Sequence, residues 1–255
     1  MDPYAWSWNA EALVILGLTV AYLAAVRQNA AGAWRVAAFL GGMVLLLAVS
    51  VTPIHTLGMH YLLTMHLLQN VVLAEWAPLL VVLGIPPALA ASIARPGLVR
   101  ALTHPAVALP LWLVNYMVWH LPWVYDAALR NPNTLLHLEH VMYFLTGALM
   151  WWCVFQDEPH RLGSGTRAAY VFAGFVLASP IGLVMALVPE PIYDFYVGAH
   201  HRVWGLDPLQ DQQLAGMLMA LEQAVVFFAV FAYWFFRFLA EEERRGDVDP
   251  PPVAA

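Results

Sequence analysis

The sequence predicts an all-α integral membrane protein: a seven-transmembrane-helix bundle with its N-terminus outside and its C-terminus in the cytoplasm. Of its 255 residues, 62% are hydrophobic and only 11% are charged. Soluble domains contain about 45–50% apolar and about 25% charged residues. Apolar runs long enough to cross a bilayer recur along the chain, and arginine is concentrated on one side of those runs.

The same composition excludes several classes of protein. Seven spans of about 20 residues and their connections use the whole chain, which leaves no room for a soluble enzyme domain. The net charge of -6 argues against a nucleic-acid partner, and the lipid bilayer is the expected surrounding. Cys153 is the single cysteine, so an internal disulfide and a thiolate metal cluster are excluded. Residues 1–4 lack the basic segment of a signal peptide, so we expect the first apolar run to remain a helix.

Proline, glycine and charged residues bound the seven predicted spans. In chain order the spans are Glu11–Val26, Trp34–Pro53, Tyr61–Gly84, Pro105–Leu121, Thr134–Phe155, Arg167–Val188 and Asp211–Leu239. Pro78 lies inside the third span and predicts a kink near Ala74, because a proline ring collides with the carbonyl four residues earlier. Residues 1–240 are expected to form one membrane domain, and the charged, proline-rich residues 241–255 a disordered cytoplasmic tail.

The arginines predict the orientation of the bundle. Nine lie at one end of the predicted spans: Arg27, Arg35, Arg95, Arg100, Arg161, Arg167, Arg237, Arg244 and Arg245. Only Arg130 and Arg202 lie at the other end. Because basic residues concentrate in cytoplasmic loops, the arginine-rich end is predicted to be cytoplasmic. We therefore expect a multi-pass protein of the bacterial inner membrane whose other end faces the periplasm.

The histidines have the opposite distribution. Eight of the ten lie at or just below the predicted periplasmic side: His55, His60, His66, His120, His137, His140, His200 and His201. Imidazole suits copper, and the soft thioether of methionine favours Cu(I). Met59-His60 and Met65-His66, at the start of the third span, are therefore candidate copper ligands. The alternative is an interfacial histidine with methionine as a flexible core side chain.

Three further histidines are candidate metal ligands. His120 ends the fourth span, and His137 and His140 begin the fifth, three residues apart on one helix face. Because these span ends lie on the same side of the membrane as His66, we expect the four histidines to converge on one site below the outer surface. Glu139 is expected to point elsewhere and to interact with the dipole of its helix.

Four polar residues inside or beside apolar runs form a candidate polar relay: Asn70, Glu75, Asp211 and Glu222. Asp211 and Glu222 are eleven residues apart, close to three helical turns, so they share a helix face. A carboxylate within a membrane is costly and should be protonated, paired or in contact with water. A proton pathway and a polar contact between helices are both consistent with this pattern.

The connection from Pro189 to Pro208 is rich in aromatic residues. It carries Tyr193, Tyr196 and Trp204, together with His200 and His201. Tyrosine and tryptophan are enriched where a bilayer meets water, so we expect an aromatic belt that lies on the membrane surface.

Several short motifs follow one another in a defined order from about His55 onward. They are His66–Gln69, Ala77–Leu80, Trp119–Pro122, His137–His140 and Leu209–Gly216. In their order and spacing they resemble the seven-helix cytochrome c oxidase assembly factors called CtaG, the factors for caa-type oxidases. The family usually has a second histidine at the position of Asn70, and this chain departs from it there.

The resemblance implies a function in the respiratory chain. A protein of this family would be a metal-binding chaperone and not an enzyme. It would bind copper, as Cu(I), near the periplasmic face, receive it from a periplasmic copper donor and help deliver it to the copper centre of a haem–copper oxidase subunit. On this basis His66, His120, His137 and His140 are copper ligands or relay residues.

Two alternatives remain from the residues themselves. Helical histidines also ligate haem iron, which would make the chain a membrane b-type haem protein. A proton or solute conductor would use Glu75 and Glu222, although the cytoplasmic halves of the spans are almost wholly apolar.

Overall fold

The computed structural model describes residues 2–28, 31–199 and 202–248, and over these ranges the chain forms helices joined by short connections, without a β-strand. The helices are α1 Ala10–Gln28, α2 Ala33–Val51, α3 Pro53–His60, α4 Leu63–Val71, α5 Ala77–Gly84, α6 Pro87–Ile93, α7 Gly97–Leu102, α8 Pro105–Trp119, α9 Pro122–Arg130, α10 Leu135–Phe155, α11 Ser164–Leu187, α12 Asp194–Val197 and α13 Pro208–Val248. A π-helical segment, Val72–Trp76, joins α4 to α5.

The described helices confirm the predicted all-α membrane bundle. Six of them are long and apolar enough to cross a membrane, and the number is seven if the bent pair α8 and α9 counts as one span. The third span is continuous through α4, the π-helical segment and α5. The first six spans begin and end within a few residues of the predicted bounds. Which end faces the cytoplasm stays a prediction from the arginine count.

The distortion predicted for the third span lies where the proline places it. Pro78 has no N–H, so the carbonyl of Ala74 cannot accept the usual helical hydrogen bond from residue 78, and the π-helical segment surrounds this position. Gly147 of α10 packs directly against that carbonyl, and a Cβ on Gly147 would lie 2.0 Å from the Ala74 oxygen. The next carbonyl, that of Glu75, accepts the indole N–H of Trp151 at 2.9 Å. The predicted distortion near Ala74 is thus a π-helical segment, and it coincides with a close helix contact.

The fourth predicted span is shorter and more sharply bent than expected. Its helix α8 ends at Trp119, because Pro122 begins α9 and the residue before a proline is disfavoured in a helix. The axes of α8 and α9 differ by 74°. His120 therefore lies at the corner between two helices, where its ring faces the interior of the bundle.

The last helix is longer than predicted. We expected the span to end at Leu239 and a disordered tail to begin at residue 241, but α13 continues to Val248. Glu241 supports this extension, because its carboxylate accepts hydrogen bonds from Ser164 at 2.8 Å and from Arg237 at 3.2 Å. Residues 249–255 of the predicted tail lie outside the described residues.

One end of the bundle gathers most of the polar residues. The N-terminal ends of α1, α4 and α10 meet there with the C-terminal end of α8, and we call it the histidine end. At the opposite, arginine end, Arg35 donates to the carbonyls of Leu83 and Ile85, which terminate α5. The third span lies between α2, α10 and α13, so it forms the centre of the bundle.

Candidate metal centre

The start of α4 is held by a carboxylate from another helix. Asp211 of α13 accepts the backbone N–H groups of Leu63 at 2.7 Å and Thr64 at 3.0 Å, and the Thr64 hydroxyl at 2.7 Å. A carboxylate at a helix N-terminus satisfies free N–H groups and interacts favourably with the helix dipole. In the structure, the predicted relay residue Asp211 is therefore the cap that positions α4 and, one turn later, His66.

His66 is a fully buried imidazole without a hydrogen bond. Its exposed fraction is 0%, and neither ring nitrogen has a hydrogen-bond partner among the described residues. Its ring centroid lies 5.2 Å from that of Tyr125 and 6.4 Å from that of His140. Its Nε2 atom is 3.8 Å from the Glu139 carboxylate, beyond hydrogen-bonding distance. A buried imidazole without partners is costly and calls for a ligand.

The hydrogen bonds of two other histidines indicate which ring nitrogen is free. His120 Nδ1 lies 2.8 Å from the backbone oxygen of Tyr116, and His140 Nδ1 lies 2.8 Å from Glu11 Oε1. Both partners are acceptors, so each Nδ1 must carry the proton when the ring is neutral. Each Nε2 then carries a lone pair, and both Nε2 atoms are buried without a partner among the described groups.

Glu11 is a site residue that the sequence analysis missed. Its Oε1 atom accepts from His137 Nδ1 at 2.7 Å as well as from His140, and its Oε2 atom accepts from Ser50 at 3.3 Å. Ligand atoms of Glu11, His137 and His140 all lie within 4.8 Å of one another, a spacing that a metal ion could bridge. The available signal was a carboxylate in the first turn of an apolar span, on the same side as the histidines.

The expectation for Glu139 was wrong. This carboxylate is buried, with 1% of its surface exposed, and it points towards α4 instead of the open helix end. It accepts the side-chain amide of Asn70 at 3.0 Å. The reason is that Glu139 lies one turn into α10, on a face that packs against the third span. Asn70 therefore orients a carboxylate beside His66.

Two tyrosines of the predicted aromatic belt are instead interior residues that cover the histidines. Tyr193 donates to the backbone oxygen of His120 at 3.1 Å and its ring lies 4.2 Å from that of Tyr125. Tyr196 donates to the backbone oxygen of Gly58 at 2.5 Å. Burial raises the pKa of both phenols, so they remain donors at neutral pH. Trp204 is half-exposed, and His200 and His201 lie outside the described residues.

Three candidate ligands have other surroundings. His60 is exposed and its ring lies edge-on to that of Tyr61. Met59 packs in the main hydrophobic core, whereas Met65 packs against a separate small cluster that includes Tyr61. The structure therefore places the rings of His66 and His140 6.4 Å apart, with His120 and His137 at the same end of the bundle, and these three residues elsewhere. Their assignment as metal ligands stays a prediction.

His55 borders the cluster from α3. Its Nδ1 atom lies 3.2 Å from the side-chain amide of Gln69, which makes it the acceptor. Burial lowers the pKa of His55 to about 4, and nearby His140 and His66 contribute in the same direction, while Glu11 opposes them. His55 is therefore neutral at pH 7.

The fold and the site define a multi-pass membrane protein with a buried histidine cluster at one end. The chain matches the family model of the cytochrome c oxidase caa3 assembly factor over residues 20–241. It belongs to this family, as the motifs in its sequence predicted. Neither the curated proteins nor the solved structures include a match to this chain.

Proposed function

We propose that this assembly factor binds copper, as Cu(I), in the histidine cluster and helps deliver it to the copper centre of a haem–copper oxidase. The observation that carries the proposal is the set of unpartnered Nε2 atoms on His66, His120 and His140. These three imidazoles come from α4, from the corner between α8 and α9, and from α10. Copper is the cargo of the protein in this proposal, and the protein catalyses no reaction.

The chemistry of the donor set supports copper. Neutral imidazole is a ligand for copper, and a histidine that binds metal through one nitrogen usually donates its other N–H to a carboxylate or a carbonyl. His140 donates to Glu11 and His120 donates to the Tyr116 carbonyl. These hydrogen bonds hold the two rings in the tautomer that a metal ion requires.

A path for copper uptake follows from the difference in exposure between neighbouring histidines. The His137 side chain is 38% exposed, whereas that of His140 is 3% exposed, and both bind the same oxygen of Glu11. We propose that a periplasmic copper donor reaches His137 first. His140 then contacts the ion through its free Nε2 on the buried side and passes it to His66 and His120.

The first experiment measures retained copper on the full chain in lipid nanodiscs. The protein is loaded anaerobically with Cu(I), and in parallel with Cu(II), desalted, and analysed for its metal content and optical spectrum. We expect about one Cu(I) per chain, and less than a tenth of that amount in His120→Ala and His140→Ala, because a cluster that loses one of three ligands holds metal far more weakly.

A matched variant controls for the loss of a histidine outside the proposed site. His160→Ala removes a histidine from the arginine end, where its ring lies beside that of His104. This variant should retain copper. Wild-type protein that retains no copper would contradict the proposal. A Soret band in its optical spectrum would indicate haem binding instead. Retention of Cu(II) but not Cu(I) would overturn the assigned oxidation state.

Delivery is tested separately from binding. In cells that lack the protein, we expect the oxidase to be assembled with less copper. The wild type and His160→Ala should restore its copper content, whereas His120→Ala should not. Full restoration by His120→Ala would contradict a role of the cluster in delivery even if the purified protein binds copper.

A further inference from the structure

Two carboxyl groups meet in the centre of the bundle, away from the histidine cluster. Glu75 lies in the π-helical segment of the third span, and Glu222 lies in α13. The two residues are held side by side, because each carboxyl group accepts a hydrogen bond from the residue that follows the other, Trp76 or Gln223. Glu75 is 0% exposed and Glu222 is 8% exposed. Both positions are within segments that are long and apolar enough to cross the membrane.

These hydrogen bonds use one oxygen of each carboxyl group. Gln223 donates to Glu75 Oε1 at 3.0 Å, and the indole of Trp76 donates to Glu222 Oε2 at 2.8 Å. Glu75 Oε2 and Glu222 Oε1 receive no hydrogen bond from the other described residues and are buried. These two oxygens are therefore the atoms available for the contact between the carboxyl groups.

We infer that Glu75 and Glu222 form a proton-binding site that holds one proton between Glu75 Oε2 and Glu222 Oε1. An ionised carboxylate only accepts hydrogen bonds, so two carboxyl groups in contact need a proton on one of them. Two adjacent carboxylates without a proton would also repel each other in an apolar interior. The contacts described for the pair come from neutral groups, namely Gln223, Trp76 and, through Gln223, the phenol of Tyr116.

The polar contacts around the pair extend towards the histidine end. Gln223 contacts the hydroxyl of Tyr116 at 3.1 Å, and the Tyr116 ring lies 4.6 Å from that of His120. In the other direction, α5 from Ala77 to Gly84 and α13 from residue 224 to residue 232 contain only apolar residues and glycine. Apolar residues thus separate the site from the arginine end along both helices that carry it, so we expect it to bind a proton without conducting it across the membrane.

Glu222 also borders an apolar groove on the outside of the bundle. The groove has a volume of about 490 Å³ and is lined by Trp76, by Glu222 and by apolar residues of α13 such as Leu218 and Val225. Glu75 does not line it. A lipid-soluble reagent for carboxylic acids should consequently reach Glu222 and fail to reach Glu75.

The test treats the full chain in nanodiscs with dicyclohexylcarbodiimide at neutral pH. A protonated carboxyl group adds its O–H across one C=N bond of the reagent, and the adduct rearranges to a stable acylurea. We expect one reagent molecule per chain, located by peptide mass spectrometry on Glu222, and none in Glu222→Gln. Glu190→Gln, which changes an exposed carboxylate outside the spans, should be labelled like the wild type.

A second measurement does not depend on access through the groove. The infrared C=O band of a protonated carboxyl group should be present in wild type and in Glu190→Gln and missing in Glu75→Gln/Glu222→Gln. Wild-type protein that is unlabelled at Glu222, or a wild-type spectrum without the band, overturns the inference. Proton flux into liposomes that requires Glu222 would contradict the expectation that the site does not conduct protons across the membrane. Copper retention enters neither readout, so this inference and the proposed function can fail independently.

Discussion

The third span and the first span show two ways in which a membrane helix can be held. Of the third span, 72% is buried inside the protein, against 17% of α1. The third span is surrounded by other helices and carries His66, Asn70 and Glu75, each with its ring, amide or carboxyl group inside the protein. Its position follows from packing on all sides.

By contrast, α1 is held by a few specific contacts. Tyr22 stacks on Phe39 with ring centroids 3.6 Å apart and donates to the Gly84 oxygen at 2.8 Å. Glu11 binds His137 and His140 at the other end of the helix. A helix that faces lipid on most sides thus adds one carboxylate to a site built by the core. The core thus positions the candidate ligands, whereas a peripheral helix orients the rings of His137 and His140.

The largest effect is expected from a substitution that disrupts the packing of the third span. Gly147→Ala would place a Cβ 2.0 Å from the Ala74 oxygen, a backbone atom that cannot move without shifting the π-helical segment. We expect a loss of stability of at least about 3 kcal/mol, at the upper end for an overpacked core. Thermal unfolding in detergent, followed by size-exclusion chromatography, measures it.

The matched substitution in the first span is Gly17→Ala. A Cβ on Gly17 meets no atom within 4 Å, and alanine is favoured over glycine in a helix by about 1 kcal/mol. The variant should be as stable as the wild type or more so. Equal destabilisation by the two substitutions would contradict the contrast between the spans.

The second prediction concerns the carboxylate of α1. Glu11→Gln keeps an acceptor for one histidine but removes the charge shared by His137 and His140, so the His140 ring is held less firmly. We expect copper affinity to fall about 10-fold to 100-fold, as for other carboxylates that orient a metal-binding histidine. Competition with a Cu(I) chelator measures the affinity. An unchanged affinity would show that the peripheral helix does not orient the site.

A smaller effect is expected at the start of the third span. Asp211→Asn leaves an acceptor for only one of the N–H groups of Leu63 and Thr64, which donate to different carboxylate oxygens, and it removes the charge that interacts with the helix dipole. We expect a loss of about 1–2 kcal/mol in stability. Asp194→Asn, at an exposed position in α12, is the control and should change the melting temperature little. A melting temperature for Asp211→Asn equal to that of the control would rule out the capping role.

The smallest expected effect is a pH dependence at His55. Its folded-state pKa of about 4 lies below the reference value of 6.5, so the unfolded chain binds more protons between these values. Its contribution to stability is present above about pH 6.5 and falls as the pH decreases through this window, by about 0.8 kcal/mol at about pH 6. When the pH is lowered from about 7 to about 6, the free energy of unfolding should fall less in His55→Asn than in the wild type. An equal fall would show that His55 is not the source of the pH dependence.

Much of the architecture was readable from local sequence. Apolar runs long enough for a bilayer predicted the spans, because backbone groups in lipid must be satisfied within a helix. Pro78 predicted the distortion near Ala74, and Pro122 ended α8, because proline acts on its immediate neighbours. The distribution of histidine along the spans predicted which helix ends meet, since span ends on one side of a membrane must lie at one level.

The contacts between helices could not be predicted in this way. Glu11 binds His137, which is 126 residues away in the sequence. Asp211 caps α4, whose first residue Leu63 is 148 residues away. Glu139 was expected at an open helix end, and Tyr193 on the surface, because spacing does not report which face of a helix another helix covers.

The sequence alone thus determined the class of fold, the family and the histidines that approach one another, since hydrophobicity, proline geometry and motif order act locally. Only the tertiary structure decided which nitrogen of His120 and His140 is free, that Glu11 belongs to the site, and that Glu75 and Glu222 lie side by side. The physical reason is that hydrogen bonds act over about 3 Å. Their partners are chosen by how the helices pack, which no single helix encodes.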